Sequence, residues 1–239
     1  MQVENPGARR FITAYNRLDQ GLRDIYSIKR SLTFSDMIRK VATVNTVVAK
    51  FEESLIDYGR LRNAIVHKSN DVIIAEPNIE VVENLEKIAR LINTPPRVIE
   101  CLKKRKVYSV EGETTLKEVV LKMGKLGYSI LPVYISGNLI GVLNRKMIVE
   151  SISKFILAGK SLDEAMNESV SDCTDIFYET SHYELVPKSI TVENLMYMFG
   201  QNRKLSSVIL TENGNYNEEP IAVVVSADII DLNKILDNY

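Results

Sequence analysis

The hydrophobic residues of the first 95 positions recur at intervals of three and four, which is the period of amphipathic helices. Three such series predict helices over residues 8–29, 34–55 and 78–91. The second series is long enough for about six helical turns without interruption. Pro95-Pro96 ends the last helix, because proline lacks the N–H that a helix interior needs. We therefore predict an all-helical domain over residues 1–95.

The pattern changes after Pro96, where short apolar runs typical of strands alternate with helical series. The first copy predicts, in order, the strand 107–110, a helix capped by Thr114, the strands 129–135 and 139–143, and a helix over 145–156. The second copy predicts a helix from Thr191, the strands 206–210 and 221–225, and a final helix capped by Ser226. The repeated order indicates a divergent duplication of a β-α-β-β-α unit.

Composition adds few constraints, but the charge is unevenly distributed. Residues 1–70 hold 12 Lys and Arg against 7 Asp and Glu, a net charge of +5, whereas the whole chain has −1. This surplus favours an anionic partner for the first domain. The two cysteines and two histidines form no zinc ligand set or disulfide framework. With no signal core and no apolar run of about 20 residues, we expect a soluble, cytoplasmic protein without a metal.

Residues 97–239 resemble a tandem pair of CBS (cystathionine β-synthase) domains. The resemblance rests on the string YSILPV at 128–133, on LIGVLNRKMI at 139–148, and on SSVIL at 206–210 with AVVVSADI at 222–229. It implies a module that self-associates and that binds adenosine-type nucleotides between its copies.

The ligand signature of that family is Gly, two apolar residues, Thr or Ser, two variable residues and Asp. The first copy has Asn144 and Met147 at the Thr and Asp positions, so it lacks the acid that would bind ribose. The second copy keeps Asp228. The resemblance therefore implies nucleotide binding by the segment with Val224, Ser226 and Asp228. An acidic residue in the first turn of a helix is the alternative role for Asp228.

One stretch of the first domain, residues 58–67, concentrates polar chemistry on a helix. At about 100° per residue, Arg60, Asn63 and His67 fall on one stripe, and the apolar residues fall on the opposite side. Gly59 predicts a break or kink of the helix at the start of this stretch. The pattern is typical of an active site, but also of an amphipathic helix with a basic surface.

The string RNAIVH at 62–67 resembles the Arg-Asn-x3-His motif of the HEPN (higher eukaryote and prokaryote nucleotide-binding) superfamily, many of whose members are metal-independent ribonucleases. The resemblance implies catalysis by Arg62, Asn63 and His67 from two subunits, and RNA contacts by Arg60 and Lys68. Arginine would stabilise the phosphorane charge, and histidine would transfer the proton of the 2′-hydroxyl.

These observations give two hypotheses for a homodimer without a required cofactor. The fold class is a HEPN-like helical bundle followed by a CBS-domain pair, with domains at 1–95, 97–156 and 173–239 and a connector at 157–172. The leading hypothesis is an endoribonuclease of toxin or defence type that acts on RNA and responds to an adenine nucleotide. The alternative is a non-catalytic nucleotide sensor or adaptor whose helical domain dimerises or docks a partner.

Overall fold

The computed structural model describes residues 6–66, 73, 75–102, 106–175 and 182–238. The chain divides into two compact units. The first contains the described residues up to Pro96 together with Thr191–Tyr197 and the chain from Asn233. The second contains Arg97–Ile190 and Met198–Leu232.

In the described part of the first unit, five helices pack against one another and bury apolar residues. They are α1 (Pro6–Ile25), α2 (Phe34–Ala42), α3 (Thr46–Lys50), α4 (Glu52–Ile65) and α5 (Ile79–Asn93). Helix α1 packs along α5, and Arg10 joins them through two hydrogen bonds of 2.9 and 2.8 Å to the Glu86 carboxylate. Phe11, Leu18 and Leu85 are fully buried, as their helical spacing predicts.

The prediction of one continuous helix over 34–55 is wrong, because the chain breaks it twice. The Asn45 backbone is extended, and its side chain accepts a hydrogen bond from Val48 N and so starts α3 afresh. Phe51 also leaves helical geometry before α4 begins. Asparagine side chains compete for backbone groups, so Asn45 ends one helix and caps the next despite the apolar period. Val44, which the period assigned to the core, is 53% exposed.

The prediction of a break at Gly59 is also wrong, since this residue is buried inside α4. A Cβ atom at Gly59 would lie 3.0 Å from Cδ1 of Phe34. The glycine therefore allows the Phe34 ring to approach α4 closely.

The described residues of the second unit form two three-stranded sheets of identical topology. The strands are β1 (Val110–Glu111), β2 (Ile130–Ile135), β3 (Asn138–Asn144), β4 (Tyr183–Pro187), β5 (Ser207–Thr211) and β6 (Ala222–Val225). In each sheet the first strand is parallel to the second, and the second is antiparallel to the third. The predicted duplication is therefore confirmed at the level of topology.

The helices that accompany these sheets are α6 (Val98–Cys101), α7 (Leu116–Leu126), α8 (Arg145–Leu157), α9 (Leu162–Asn167), α10 (Val192–Gln201) and α11 (Asp228–Asn238). Of these helices, α7, α8, α10 and α11 follow the predicted order, whereas α6 and α9 were not predicted. Both α10 and α11 contribute residues to both compact units.

Three details of the second unit correct the sequence prediction. Thr115, not Thr114, caps α7, in a capping box with Glu118. The first strand is only Val110–Glu111 rather than 107–110. Strand β4 was missed, because Tyr183–Pro187 is short and its strand character depends on pairing with β5.

Candidate functional site

The two copies of the β-α-β-β-α unit pack together through one apolar face of each sheet. Tyr134, Leu139 and Val142 of the first copy form a buried cluster with Ile209 of the second. Tyr183, Leu185 and Val223 of the second copy and Ile130 of the first pack against this cluster. The face between the copies is therefore the place where both sheets meet, and side chains that point to it are shielded from water.

The loop that joins β5 to β6 bonds the two copies at one end of this face. Tyr134 Oη donates a hydrogen bond of 2.7 Å to the Glu218 backbone oxygen, and Leu139 N donates one of 2.7 Å to the Tyr216 oxygen. Burial raises the pKa of Tyr134 to about 12, and the charge of Glu219 adds to the rise. The phenol therefore stays protonated as a donor throughout the physiological range.

The same loop is ordered by one carboxylate. Glu218 accepts hydrogen bonds from Asn213 N at 2.8 Å, from Asn213 Nδ2 at 2.7 Å and from Asn215 Nδ2 at 3.0 Å. Hydrogen bonds to the charged form favour it, so they hold the pKa of Glu218 well below its usual range.

The two equivalent strand ends, after β3 and after β6, carry different polar side chains that make different local hydrogen bonds. In the first copy Asn144 Oδ1 accepts a hydrogen bond of 3.0 Å from Met147 N and caps α8. In the second copy the Asp228 carboxylate accepts a hydrogen bond of 3.0 Å from Val225 N. The carboxylate therefore folds back toward the end of β6.

The other two residues assigned to nucleotide binding lie on either side of that strand end. Ser226 is exposed, so its side chain is accessible beside Asp228. The Val224 side chain is fully buried, and its backbone pairs with Val208 in the antiparallel register of β5 and β6. Val224 therefore has no side-chain group to offer a ligand.

Ser207 is a polar residue in this region that the sequence analysis missed. It lies directly opposite Val225 in the register of β5 and β6, and its side chain is fully buried. Alternate residues of a strand share a face, so Ser207 lies on the same face of β5 as Ile209, which is turned toward the first copy. Among the described residues, its Oγ atom has no hydrogen-bond partner.

A comparison of the copies contains the signal that would have found Ser207. The equivalent pair in the first copy is Ile130 opposite Asn144. In the first copy the polar residue of the pair lies on the last strand, whereas in the second copy it lies on the middle strand. Buried hydroxyls are normally hydrogen-bonded, so an unpaired one is a candidate ligand contact.

The helical bundle places the other predicted site residues at the end of α4. Tyr58 and Ile65 are buried while Arg60 and Asn63 are exposed, so the predicted division into two faces is confirmed for these residues. Arg62 Nη1 lies 3.5 Å from Asn63 Oδ1.

Two of the residues assigned to RNA chemistry, His67 and Lys68, lie outside the described residues. Arg60 already forms an exposed ion pair of 2.8 Å with Asp57. Burial raises the pKa of Tyr15 to about 12, the charge of Asp19 adds to the rise, and the charge of Arg62 opposes it.

The described part of the chain lacks two further features. None of its helices is long and apolar enough to cross a lipid bilayer. The residues described also contain no group of three or more His, Cys, Asp or Glu side chains placed to hold a metal ion.

Comparisons with known proteins bear on the second unit. The family model for the CBS domain matches residues 99–154. A comparison with curated protein sequences found no match.

Several solved structures resemble part of the chain at low sequence identity. The CBS domain of a CBS-domain-containing membrane protein from Sphaerobacter thermophilus has 15% identity and a TM-score of 0.45, covering 58% of this chain and 88% of that one. A CBS-domain-containing protein from Agrobacterium tumefaciens has 16% identity and a TM-score of 0.42, covering 57% and 92%. CBSX2 in complex with AMP has 12% identity and a TM-score of 0.44, covering 59% and 98%. The family model, which covers the first of the two repeated units, identifies residues 99–154 as a CBS domain.

Proposed function

We propose that this protein is a regulatory sensor whose second β-α-β-β-α copy acts as a second CBS domain and binds an adenine nucleotide. One observation carries the proposal: the buried Ser207 hydroxyl, unpaired among the described residues, lies opposite Val225, whose N–H holds the Asp228 carboxylate. A fully buried polar group without a partner costs folding free energy, and a bound ligand with a complementary polar atom would remove that cost.

The chemistry of these groups suits a nucleoside. A carboxylate accepts hydrogen bonds from ribose hydroxyls, and a serine hydroxyl can donate to or accept from a ring nitrogen or an amino group. The start of α11, where Asp228 lies, is also a favourable place for a phosphate, because the first N–H groups of a helix are unpaired. The first copy lacks this combination, since Asn144 caps α8 and Met147 is apolar and buried. We therefore assign one ligand to each chain, at the second copy.

Thermal unfolding of the full chain with AMP or ATP tests this assignment. A ligand at 100 times its dissociation constant stabilises the folded state by about 2.7 kcal/mol, so the midpoint should rise by several degrees. Asp228→Asn and Ser207→Ala should each reduce the rise. Asp231→Asn, which changes an exposed acid of the same helix, is the matched control and should keep it. Absence of a response to either nucleotide in the parent protein would contradict the proposal.

The ribonuclease hypothesis is the second candidate, and the exposed polar face of α4 favours it. Asn63 and Arg60 are exposed opposite the buried Tyr58, so the polar face of α4 is accessible to a substrate. The hypothesis requires a homodimer in which Arg62 and His67 of both subunits share one cleft.

Incubation of the purified protein with RNA in EDTA tests this second candidate. His67→Ala should abolish cleavage, whereas His182→Ala, which changes the only other histidine, should leave it intact. The same preparation should sediment as a dimer. If the parent protein cleaves no RNA with or without AMP, the bundle acts as an adaptor rather than an enzyme.

A further inference from the structure

Glu193 is an acidic residue of α10 that is buried in the first unit and takes no part in the proposed nucleotide site. Only 8% of its surface is exposed. Its Oε1 atom accepts a hydrogen bond of 3.1 Å from Thr46 N and one of 3.4 Å from Thr46 Oγ1. The carboxylate therefore holds the first residue of α3 in the helical bundle.

The residues around Thr46 make this a well-ordered attachment. Asn45 Oδ1 accepts a hydrogen bond of 2.8 Å from Val48 N, and Asn45 Nδ2 donates one of 2.9 Å to Tyr26 Oη. Burial raises the pKa of Tyr26, and the charge of Glu193 adds to the rise, so the carboxylate acts on this phenol too. The Glu193 carboxylate thus joins a polar network that fixes the start of α3.

Burial of this acid needs a reason, because a carboxylate loses much solvation free energy when it leaves water. A glutamate near the start of α10 could remain solvated and still interact favourably with the helix terminus. Its burial against Thr46 is therefore a specific contact of the first unit rather than a helix-capping preference.

The hydrogen bonds between Glu193 and Thr46 matter because α10 is divided between the two compact units. Residues Thr191–Tyr197 belong to the first compact unit, whereas Met198 and the rest of α10 belong to the second. An α-helix holds its shape through backbone hydrogen bonds four residues apart, so one end cannot move freely while the other is fixed. We propose that Glu193 is the positioning residue that couples the second CBS-like copy to the helical bundle, so that a change in that copy is transmitted to α3. The coupling follows from Glu193 and α10 alone and holds whatever ligand the copy binds.

Hydrogen exchange of the full chain tests the coupling without any ligand. Val208→Ala removes two methyl groups from a fully buried position of β5 and so loosens the second copy. We expect this substitution to speed amide exchange over 46–50 about fivefold or more in the parent background. The same substitution should change that exchange by less than twofold in Glu193→Leu, and by an intermediate factor in Glu193→Gln, whose amide oxygen can still accept from Thr46 N.

Asn194→Ala is the matched control, because Asn194 is the exposed neighbour of Glu193 on α10. In that background the effect of Val208→Ala over 46–50 should be as large as in the parent. The proposal is overturned if Val208→Ala leaves the exchange over 46–50 unchanged in the parent. It is also overturned if the effect is equal in the parent and both Glu193 variants. The Glu193→Gln arm keeps the test decisive if Glu193→Leu does not fold.

Discussion

The unpaired hydroxyl of Ser207 predicts a substitution that stabilises the free protein. Ser207→Ala removes only the buried Oγ atom, which has no hydrogen-bond partner among the described residues. A buried polar group without a partner costs about 1–3 kcal/mol. The void left behind resembles the space of one water molecule, about 10–15 Å³. At about 24 cal/mol per Å³, this void costs about 0.2–0.4 kcal/mol, so the substitution should stabilise the fold by about 0.6–2.8 kcal/mol.

The neighbouring serine provides a control of opposite sign. Ser206 Oγ donates a hydrogen bond of 2.7 Å to the His182 backbone oxygen. Ser206→Ala should therefore destabilise the fold by about 0.5–1.5 kcal/mol, the usual worth of one such bond.

Calorimetry of the two alanine variants without nucleotide is the assay. One kcal/mol shifts the midpoint by about 2–4 °C in chains of 150–250 residues. The midpoint should therefore rise by about 1–11 °C in Ser207→Ala and fall by about 1–6 °C in Ser206→Ala. A fall in Ser207→Ala as large as that in Ser206→Ala would show that the buried hydroxyl has a partner, and would refute the argument for a ligand contact there.

Three further predictions concern the second unit. Tyr134→Phe should remove one tyrosine that ionises at about 12. The parent should lose stability as the pH rises from about 10 to 12, and the variant should lack the contribution of Tyr134 to this loss. Absorbance titration of tyrosinate and unfolding at alkaline pH measure the two effects, and an unchanged titration curve would contradict the prediction. The lowered pKa of Glu218 predicts that its loop stays ordered at pH values well below the usual glutamate pKa, and becomes disordered only as the pH falls through the pKa of Glu218 in the folded protein. Glu218→Gln should speed hydrogen exchange of the Asn213 backbone amide at neutral pH. Equal exchange in both proteins would show that the carboxylate does not order the loop. Gly214→Ala should destabilise the second unit by about 1–2 kcal/mol or more, because Gly214 has a φ of 84° and a Cβ atom there would lie 3.1 Å from Pro187 N. Denaturant unfolding of this variant measures the loss of stability, and an unchanged midpoint would contradict the prediction.

The sequence was a good guide to the second unit because its signals are local. Alternating apolar residues, tight turns and capping residues act over a few positions, so the order of strands and helices could be predicted from each segment alone. Strand β4 was missed because its signal is not local. Residues 183–187 gain strand structure from pairing with β5, which is 20 or more residues away in sequence.

The helical bundle shows where a local signal can mislead. The apolar period over 34–55 continues through Asn45, but hydrogen bonds of the Asn45 side chain to Val48 and Tyr26 end one helix and begin the next. Gly59 has a permissive backbone and so indicates a break in isolation. In the structure Gly59 lies within α4, and the close packing of Phe34 against this helix explains why a residue without a side chain occupies the position.

The candidate sites divide in the same way. Asp228 was assigned from the resemblance to the CBS ligand signature, and Arg62, Asn63 and His67 from the resemblance to the HEPN motif. Ser207 and Glu193 could not, since a serine in a strand and a glutamate in a first helical turn are ordinary residues in sequence.

The sequence by itself determined most of the order of strands and helices in the second unit, the duplication and the acid that the second copy keeps, because these depend on residue type and spacing. Only the tertiary structure decided which polar groups are removed from water and what they meet there. Burial and pairing are properties of several segments brought together, so the unpaired hydroxyl of Ser207 and the bond from Thr46 to Glu193 exist only once the chain has folded.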